Sequence, residues 1–381
     1  MKVLMLRTNS CDPDPRVEKE VNSLISNGKF SVKVLCWDRD GRRGVFPESL
    51  SLPNSSVPIL RFGIPAAWGG GMKANFLPML QFEWKLFWWL VFHRKEYDTI
   101  HACDLLTGLP AWLPCKLFRK KLVYDIFDYY AATQSGPEWI LNMFRKLENA
   151  VISAADATII CSEKRQEQIY GSKPKKLVVL HNAPGEQQVA AVRDTVDILR
   201  GDGGRTRIVY VGNLVEDRFI MKALACAGKM PEVEFHIGGF GVLEDKVASL
   251  AAEHENVFFY GRLPYRDVLS LERQCHIMLA LYDPAVPNHA YAAPNKFYEA
   301  LALGKPLVMF RETGMSDIVE REDMGEVCDP TESGLLHAFQ RLIQRKPEWQ
   351  SMGDKMQKQF WEQYSWEIME RRLLALYEEL H

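Results

Sequence analysis

No apolar run in the 381-residue chain is long enough to cross a bilayer. The longest, Leu86–Phe92, falls far short of the roughly 20 residues a spanning helix needs. The eight cysteines stand singly, with no Cys-x-x-Cys pair and no Cys/His cluster at metal-ligand spacing. That sets aside zinc modules and disulfide scaffolds and points to reduced thiols in a cytoplasmic protein. Charge of one sign is also missing. The balance of 47 Lys+Arg against 49 Asp+Glu leaves −2, which argues against a nucleic-acid partner. Lys2 and Arg7 bracket only a short apolar piece, so no secretory leader is expected. The loop 7–14 lacks Gly-x-Gly-x-x-Gly, which weighs against a dinucleotide enzyme.

What is present is the balance of a soluble globular protein, 47% apolar and 25% charged, at a length that suits two domains. Lys2–Leu6 reads as a strand, and Asp14-Pro15 opens a helix with a capping Asp and a Pro at its first position. Val17, Val21, Leu24 and Ile25 form its apolar face, Gly28 ends it, and Ser31–Trp37 is the next strand. This β-α-β opening is the unit of a doubly wound sheet. Residues 38–70 read as loops around one strand at 59–62. In the stretch Phe76–Lys95 apolar residues exceed one helical stripe, and His93-Arg94-Lys95 follow directly. A helix apolar nearly all round is buried in a core or lies against lipid. The core reading is favoured because the stretch lacks the polar face of an interfacial helix, and docking on the inner membrane face stays open.

Further strands are expected at 97–101, 121–126, 157–161 and 177–181, with a helix over Glu138–Ala154 and another beginning at Ser162. The polar run after Asn182, containing Gly201-Asp202-Gly203-Gly204, marks a boundary. It divides the chain into a first domain, 1–185, and a second, 186–365. The second repeats the β/α series from Arg207, and its most ordered signal is Ala293–Phe310. There Pro294 breaks any preceding helix, Asn295 can cap a new one, and Phe297, Ala300 and Leu301 share a face. Gly304 and Pro306 end the helix, and Leu307–Phe310 is an apolar run of buried-strand length. The unpaired N–H groups beside Asn295 and Lys296 suit a phosphate.

The stretch 293–310 closely resembles the donor-binding helix of retaining glycosyltransferases of family 4 with the GT-B fold. That resemblance implies an α/β protein of two Rossmann-like domains facing a central cleft, with the C-terminal helix, 366–381, packing back on the first. It assigns Glu299 to the ribose hydroxyls of a nucleotide sugar. The family's partner Glu, eight places earlier, is Tyr291 here, which puts the usual contact to the donor sugar in question. The turn Gly212–Arg218 matches the family's Gly-rich turn with diphosphate-gripping cations. Asn213 stands where many relatives have Arg, and Arg218 lies one place early for their Lys, so a single cation is expected there. Gly239 and Gly241 in Gly-Gly-Phe-Gly match the loop that lets the backbone approach the donor, while Arg262 and Leu263 match the turn that holds the base.

In the first domain the segment from Asp14 to Glu20 resembles the first helix of polysaccharide-building relatives. Arg16 there can meet a phosphate or an acidic acceptor, or lie solvated. His101 and Asp104 match residues that end a strand facing the cleft, and Asp128 falls about where the family has an acidic residue.

The resulting expectation is a transferase that moves a sugar from a nucleotide sugar, UDP-linked in preference to GDP-linked, to a glycan or lipid-linked acceptor in cell-surface polysaccharide synthesis. Arg218, His101 and Asp128 are its expected catalytic residues. No cofactor is implied, and no metal. Asp12-Pro13-Asp14 and Asp38-Arg39-Asp40 do match the short Asp-x-Asp metal motif of GT-A enzymes, but both lie outside the expected donor domain. Two rivals are a nucleotide-sugar epimerase on the same fold, distinguished by consuming donor without acceptor, and a non-catalytic binding protein.

Overall fold

The computed structural model describes residues 1–40, 42–53, 55–67, 71–191, 198–201 and 204–380, with the side chains of 71–73 left aside. Contacts divide the chain into two compact units. Unit 1 is Met1–Leu180 with the chain from Met369 on, and unit 2 is His181–Ile368. The division falls a little before the 185/186 boundary read from the sequence. Residues 202 and 203 of the glycine run lie outside the described residues.

Unit 1 carries strands β1 (Lys2–Arg7), β2 (Ser31–Asp38), β3 (Gly44–Leu52), β4 (Ser55–Gly63), β5 (Thr99–Cys103), β6 (Lys121–Ile126), β7 (Ala157–Ile160) and β8 (Leu177–Val179). They lie in the order β3-β4-β2-β1-β5-β6-β7-β8, parallel except for β3 against β4. The central strands are apolar and buried on both faces, as a sheet covered by helices on both sides requires.

The β3–β4 hairpin corrects the expectation of loops around one strand in 38–70. Leu50 and Leu52 are buried while Glu48, Ser49 and Ser51 are exposed, a half-buried pattern on an edge strand that also tolerates Pro47. The helix Pro15–Ser26 forms as its caps predict. Asp14 accepts from the Val17 N–H at 3.3 Å, Pro15 takes the first position, and Val17, Val21 and Leu24 are fully buried.

The helix Gly71–Phe92 is neither all core nor all surface. Phe82, Leu86 and Leu90 are completely buried, Phe82 stacking on Trp37 at 5.1 Å, whereas Trp84 and Phe92 are 66% and 71% exposed. The favoured core reading therefore holds for one face of the helix and not for the other.

Unit 2 carries β9 (Thr206–Asn213), β10 (Val233–Phe240), β11 (Val257–Phe259), β12 (Ile277–Ala280), β13 (Leu307–Phe310) and β14 (Gly325–Cys328) in the order β11-β10-β9-β12-β13-β14. Every neighbouring pair is parallel. Strand order reverses between β1 and β5 in unit 1 and between β9 and β12 in unit 2. In such sheets ligands bind outside the carboxyl ends of the strands at the reversal, so these two places locate the candidate residues. The last helix, Trp366–Glu379, follows a break at Ser365, and from Met369 on it belongs with unit 1, where Tyr377 is fully buried.

Candidate active site

In unit 2 the reversal point is built on close backbone packing. Gly239 pairs with Gly212 and Phe240 with Asn213 where β10 meets β9. A Cβ on Gly239, at φ +135°, would lie 1.8 Å from the Gly212 carbonyl oxygen, so no other residue fits there. At Gly241, φ +147°, it would lie 2.5 Å from the Leu214 carbonyl oxygen. The close approach that these glycines permit within the unit is thus to the Gly212 turn itself.

Lys296 occupies the space over that turn. A Cβ on Gly212 would come within 2.6 Å of its Nζ, which also sits 4.8 Å from the Tyr210 ring centre. Burial would lower the lysine's pKa, but Tyr210, Tyr282, Glu299 and Glu272 hold it above the ordinary value, so it stays an ammonium. Arg218 stands close by in the same field. Its guanidinium stacks on Tyr282 at 4.1 Å, pairs with Asp217 at 2.9 Å and lies 3.3 Å from His289 Nε2. Burial keeps the His289 pKa low, so its neutral ring donates Nδ1–H to the Asp283 carbonyl and turns an acceptor towards Arg218. The turn itself supplies the single cation expected of it, Arg218, and Lys296 adds a second from the helix that follows.

The helix Asn295–Leu303 starts one place earlier than expected. Pro294 takes the cap position and Asn295 the first turn, its side chain accepting from Asn182 Nδ2 at 2.9 Å. Gly304 closes the helix at φ +64°, and Phe297, Ala300 and Leu301 are fully buried. Glu299 is only 4% exposed and accepts from the Tyr265 hydroxyl at 3.1 Å. Glu272 is buried near it, and burial together with Glu299 drives its carboxyl well above the usual range. Arg262 is exposed, its guanidinium 4.7 Å from the Phe240 ring, and Leu263 is half-buried beside Gly238. Asn213 is exposed, and Tyr291 is half-buried at the end of a short turn, Pro287–Tyr291.

In unit 1 the residues chosen from sequence meet at the β1/β5 reversal, mostly out of reach of solvent. Arg16 donates to Glu20 at 3.0 Å and to Asp125 at 2.6 Å and is 7% exposed, which corrects its reading as a solvated or acceptor-facing arginine. His101 is 0% exposed, its Nδ1 2.8 Å from the Tyr377 hydroxyl and its Nε2 3.4 Å from both Asp125 and Glu20. It touches no solvent, and its two ring nitrogens face protein groups. Burial, reinforced by Asp125, pushes Glu20 up to about 7. Burial would also raise Asp125, but Arg16 and His101 hold it below its ordinary value. The ligand atoms of Glu20, His101 and Asp125 lie within 4.8 Å of one another, yet Arg16 already supplies the cation between the two carboxylates.

Asp104 organises the neighbouring loop. It receives Arg7 at 2.7 Å and the N–H groups of Phe127 and Asp128 at 2.9 and 3.1 Å. Its own backbone is at φ +65°, and both Arg7 and Arg16 stack on Phe127 at 4.1 and 4.0 Å. Asp128 alone of these predicted groups is well exposed, with the buried Arg165 guanidinium 4.0 Å away.

Several partners were missed by sequence reasoning. Glu20 was findable as an i,i+4 partner of Arg16, and Asp125 as a charge inside an otherwise apolar strand. Tyr377 and Tyr265 carry no local signal.

No curated protein sequence matches the chain. Residues 16–183 match the family model of glycosyl transferase 4-like domains, and residues 205–345 that of glycosyl transferases group 1. Among solved structures, sucrose-phosphate synthase from Thermosynechococcus elongatus is similar at 18% identity and TM-score 0.77, covering 100% of this chain and 99% of that one. Anabaena HepE, in complex with UDP and glucose, is similar at 13% identity and TM-score 0.67, with both chains covered in full. The lipopolysaccharide outer core galactosyltransferase WaaB gives 15% identity and TM-score 0.64, again over both whole chains. The chain belongs to the group 1 glycosyltransferases of family 4 type, with a two-domain, Rossmann-like GT-B fold.

Proposed function

We propose that this glycosyltransferase moves a sugar, with retention of anomeric configuration, from a UDP-sugar to a glycan or lipid-linked saccharide in cell-surface polysaccharide synthesis. The observation that carries the donor half is the Lys296 ammonium held over the Gly212 turn at the β9/β12 reversal, with Arg218 close by and the Asn295 helix N-terminus adjoining. That is a site for a diphosphate. Breaking the bond between the anomeric carbon and the diphosphate oxygen leaves charge on that oxygen, and preorganised cations stabilise it most in the transition state. The acceptor hydroxyl oxygen forms the new bond on the same face and passes its proton to the leaving phosphate. Two cations and a helix start supply the neutralisation, so the reading includes transfer without a divalent ion. Glu299 is assigned to the ribose hydroxyls, sharing its carboxylate with Tyr265, while Arg262 and Leu263 flank the base.

The acceptor is assigned to unit 1, through Asp128 and the loop that Asp104 holds in place. HepE was solved with UDP and glucose, and WaaB is described as a galactosyltransferase of lipopolysaccharide, which supports the donor class and the acceptor class respectively. The same reading places the reaction in the cytoplasm. The test is release of UDP or GDP from a panel of nucleotide sugars, with and without EDTA. UDP released from at least one donor, undiminished by EDTA, is expected. Release of GDP alone, or of no nucleotide with any donor and acceptor mixture, would overturn the proposal.

A further inference from the structure

The helix Gly71–Phe92 gives one face to the core of unit 1 and leaves the other bare. Along the bare face Trp84, Trp88 and Phe92 follow at four-residue spacing, their rings in sequential contact at 5.7 and 5.6 Å. Leu77, 75% exposed, extends the line towards the helix start. Among the described residues no acceptor meets the indole N–H of Trp84 or Trp88. Scattered surface apolar residues need no explanation, but a continuous aromatic line does.

The far end of this line is cationic. Arg94, just past the helix, lays its guanidinium 5.2 Å from the Phe118 ring and so joins the end of a second helix, Leu105–Phe118. That helix exposes Leu113 and Leu117 with Lys116 between them. Lys116 and Arg119 have no acidic partner among the described residues, and they line a cavity of about 460 Å³ with Lys120, Lys121 and Lys175. Its single acid, Asp156, is already shared by Lys121 at 3.8 Å and Lys175 at 3.7 Å. The neighbouring acids Glu96 and Asp98 are likewise taken, by Lys33 and Lys120.

We propose that this face docks unit 1 on an anionic phospholipid surface, with the aromatic line at headgroup depth and the cationic cavity receiving a lipid phosphate. Indole suits that depth because it is apolar with one polar N–H, and basic side chains beside it are attracted to the negative surface. No described helix is long and apolar enough to cross a membrane, so the mode is lying on the surface. Charge complementarity decides the occupant. A second copy of this face would bring unpaired cations and no acid to meet them. The inference goes beyond the transfer reaction and does not depend on it, because its readout is binding alone.

The test is sedimentation of the full chain with vesicles of phosphatidylcholine containing phosphatidylglycerol, against phosphatidylcholine alone, with light scattering in parallel. Trp84→Ser/Phe92→Ser and Lys116→Gln/Arg119→Gln alter exposed groups only, and unaltered thermal unfolding confirms their folding. Binding to the anionic vesicles only, weakened about tenfold or more in either double variant, is expected. Inorganic phosphate should not compete at the concentration at which it matches the vesicle phosphate. Equal binding to both vesicle types, binding that survives both double variants, or competition by inorganic phosphate at that concentration would overturn the proposal. So would a wild-type dimer that the Trp84→Ser/Phe92→Ser variant dissolves.

Discussion

Glu20 faces Arg16, Asp125 and His101 inside unit 1, and its carboxyl titrates near 7 against an ordinary 4.5. A raised carboxyl binds its proton more tightly in the fold than in the unfolded chain. Its contribution to stability is therefore complete below about 4.5 and is lost as pH rises through about 7. Asp125 is lowered and acts in the opposite sense, but only as pH falls below its ordinary 3.8, so the two windows do not overlap. Buried Asp104, near 6, and Glu148, near 8, add slopes of the same sign as Glu20. Glu20→Gln should remove one share: between about pH 5 and about pH 8 the variant should gain on wild type by on the order of 2 kcal/mol in urea unfolding. A difference that does not change with pH would show that Glu20 is ionised throughout.

At the donor residues two further outcomes are expected. Arg218→Ala should lower kcat by about 10² to 10³ with a smaller change in donor affinity, because the charge it meets is greatest in the transition state. Arg218→Lys should recover only part, since an ammonium lacks the fork that stacks on Tyr282 and reaches Asp217. Steady-state kinetics checks both, and a rise in KM with kcat intact would assign Arg218 to ground-state binding. Glu299→Ala should weaken UDP binding in calorimetry while the fold is retained.

At the scale of elements, the two glycine strand ends of unit 2 predict different failures. A methyl at Gly212 meets side chains, the flexible Lys296 ammonium at 2.6 Å and the Tyr210 hydroxyl at 3.2 Å, whereas a methyl at Gly239 meets the Gly212 backbone at positive φ. Gly212→Ala should therefore displace the cation and weaken UDP binding, with a smaller loss of stability than at Gly239. Gly239→Ala should cost several kcal/mol, read as a lowered unfolding midpoint.

The same elements show what could be read in the sequence. The Asp14-Pro15 cap, the Glu138–Ala154 helix and the Gly304 stop depend on neighbours within a turn or two, and each appears where the local chemistry put it. The β3–β4 hairpin was lost because Ser, Pro and Glu on an edge strand look like loop. The helix Gly71–Phe92 was misjudged because one of its two apolar faces has no core to meet. No window of sequence shows that Tyr377 will reach His101, because that contact depends on tertiary packing of the chain end.

For the molecule as a whole, the alternation of strand and helix in each half was sufficient to give the doubly wound sheets, and the strand reversals then locate where ligands go. The charged groups at those reversals differ in kind. Those of unit 1 are mostly consumed by one another, Arg16 and His101 included, whereas in unit 2 the Lys296 ammonium lies over the Gly212 turn with no ion pair of its own among the described residues. The account's central claim is that the nucleotide diphosphate binds there. Hydrogen–deuterium exchange of the full chain with and without UDP tests it most directly. Protection should appear in 212–218, 238–241 and 294–299 and be absent from the Arg16, His101 and Asp125 peptides. Protection confined to unit 1, or none at saturating UDP, would contradict the assignment.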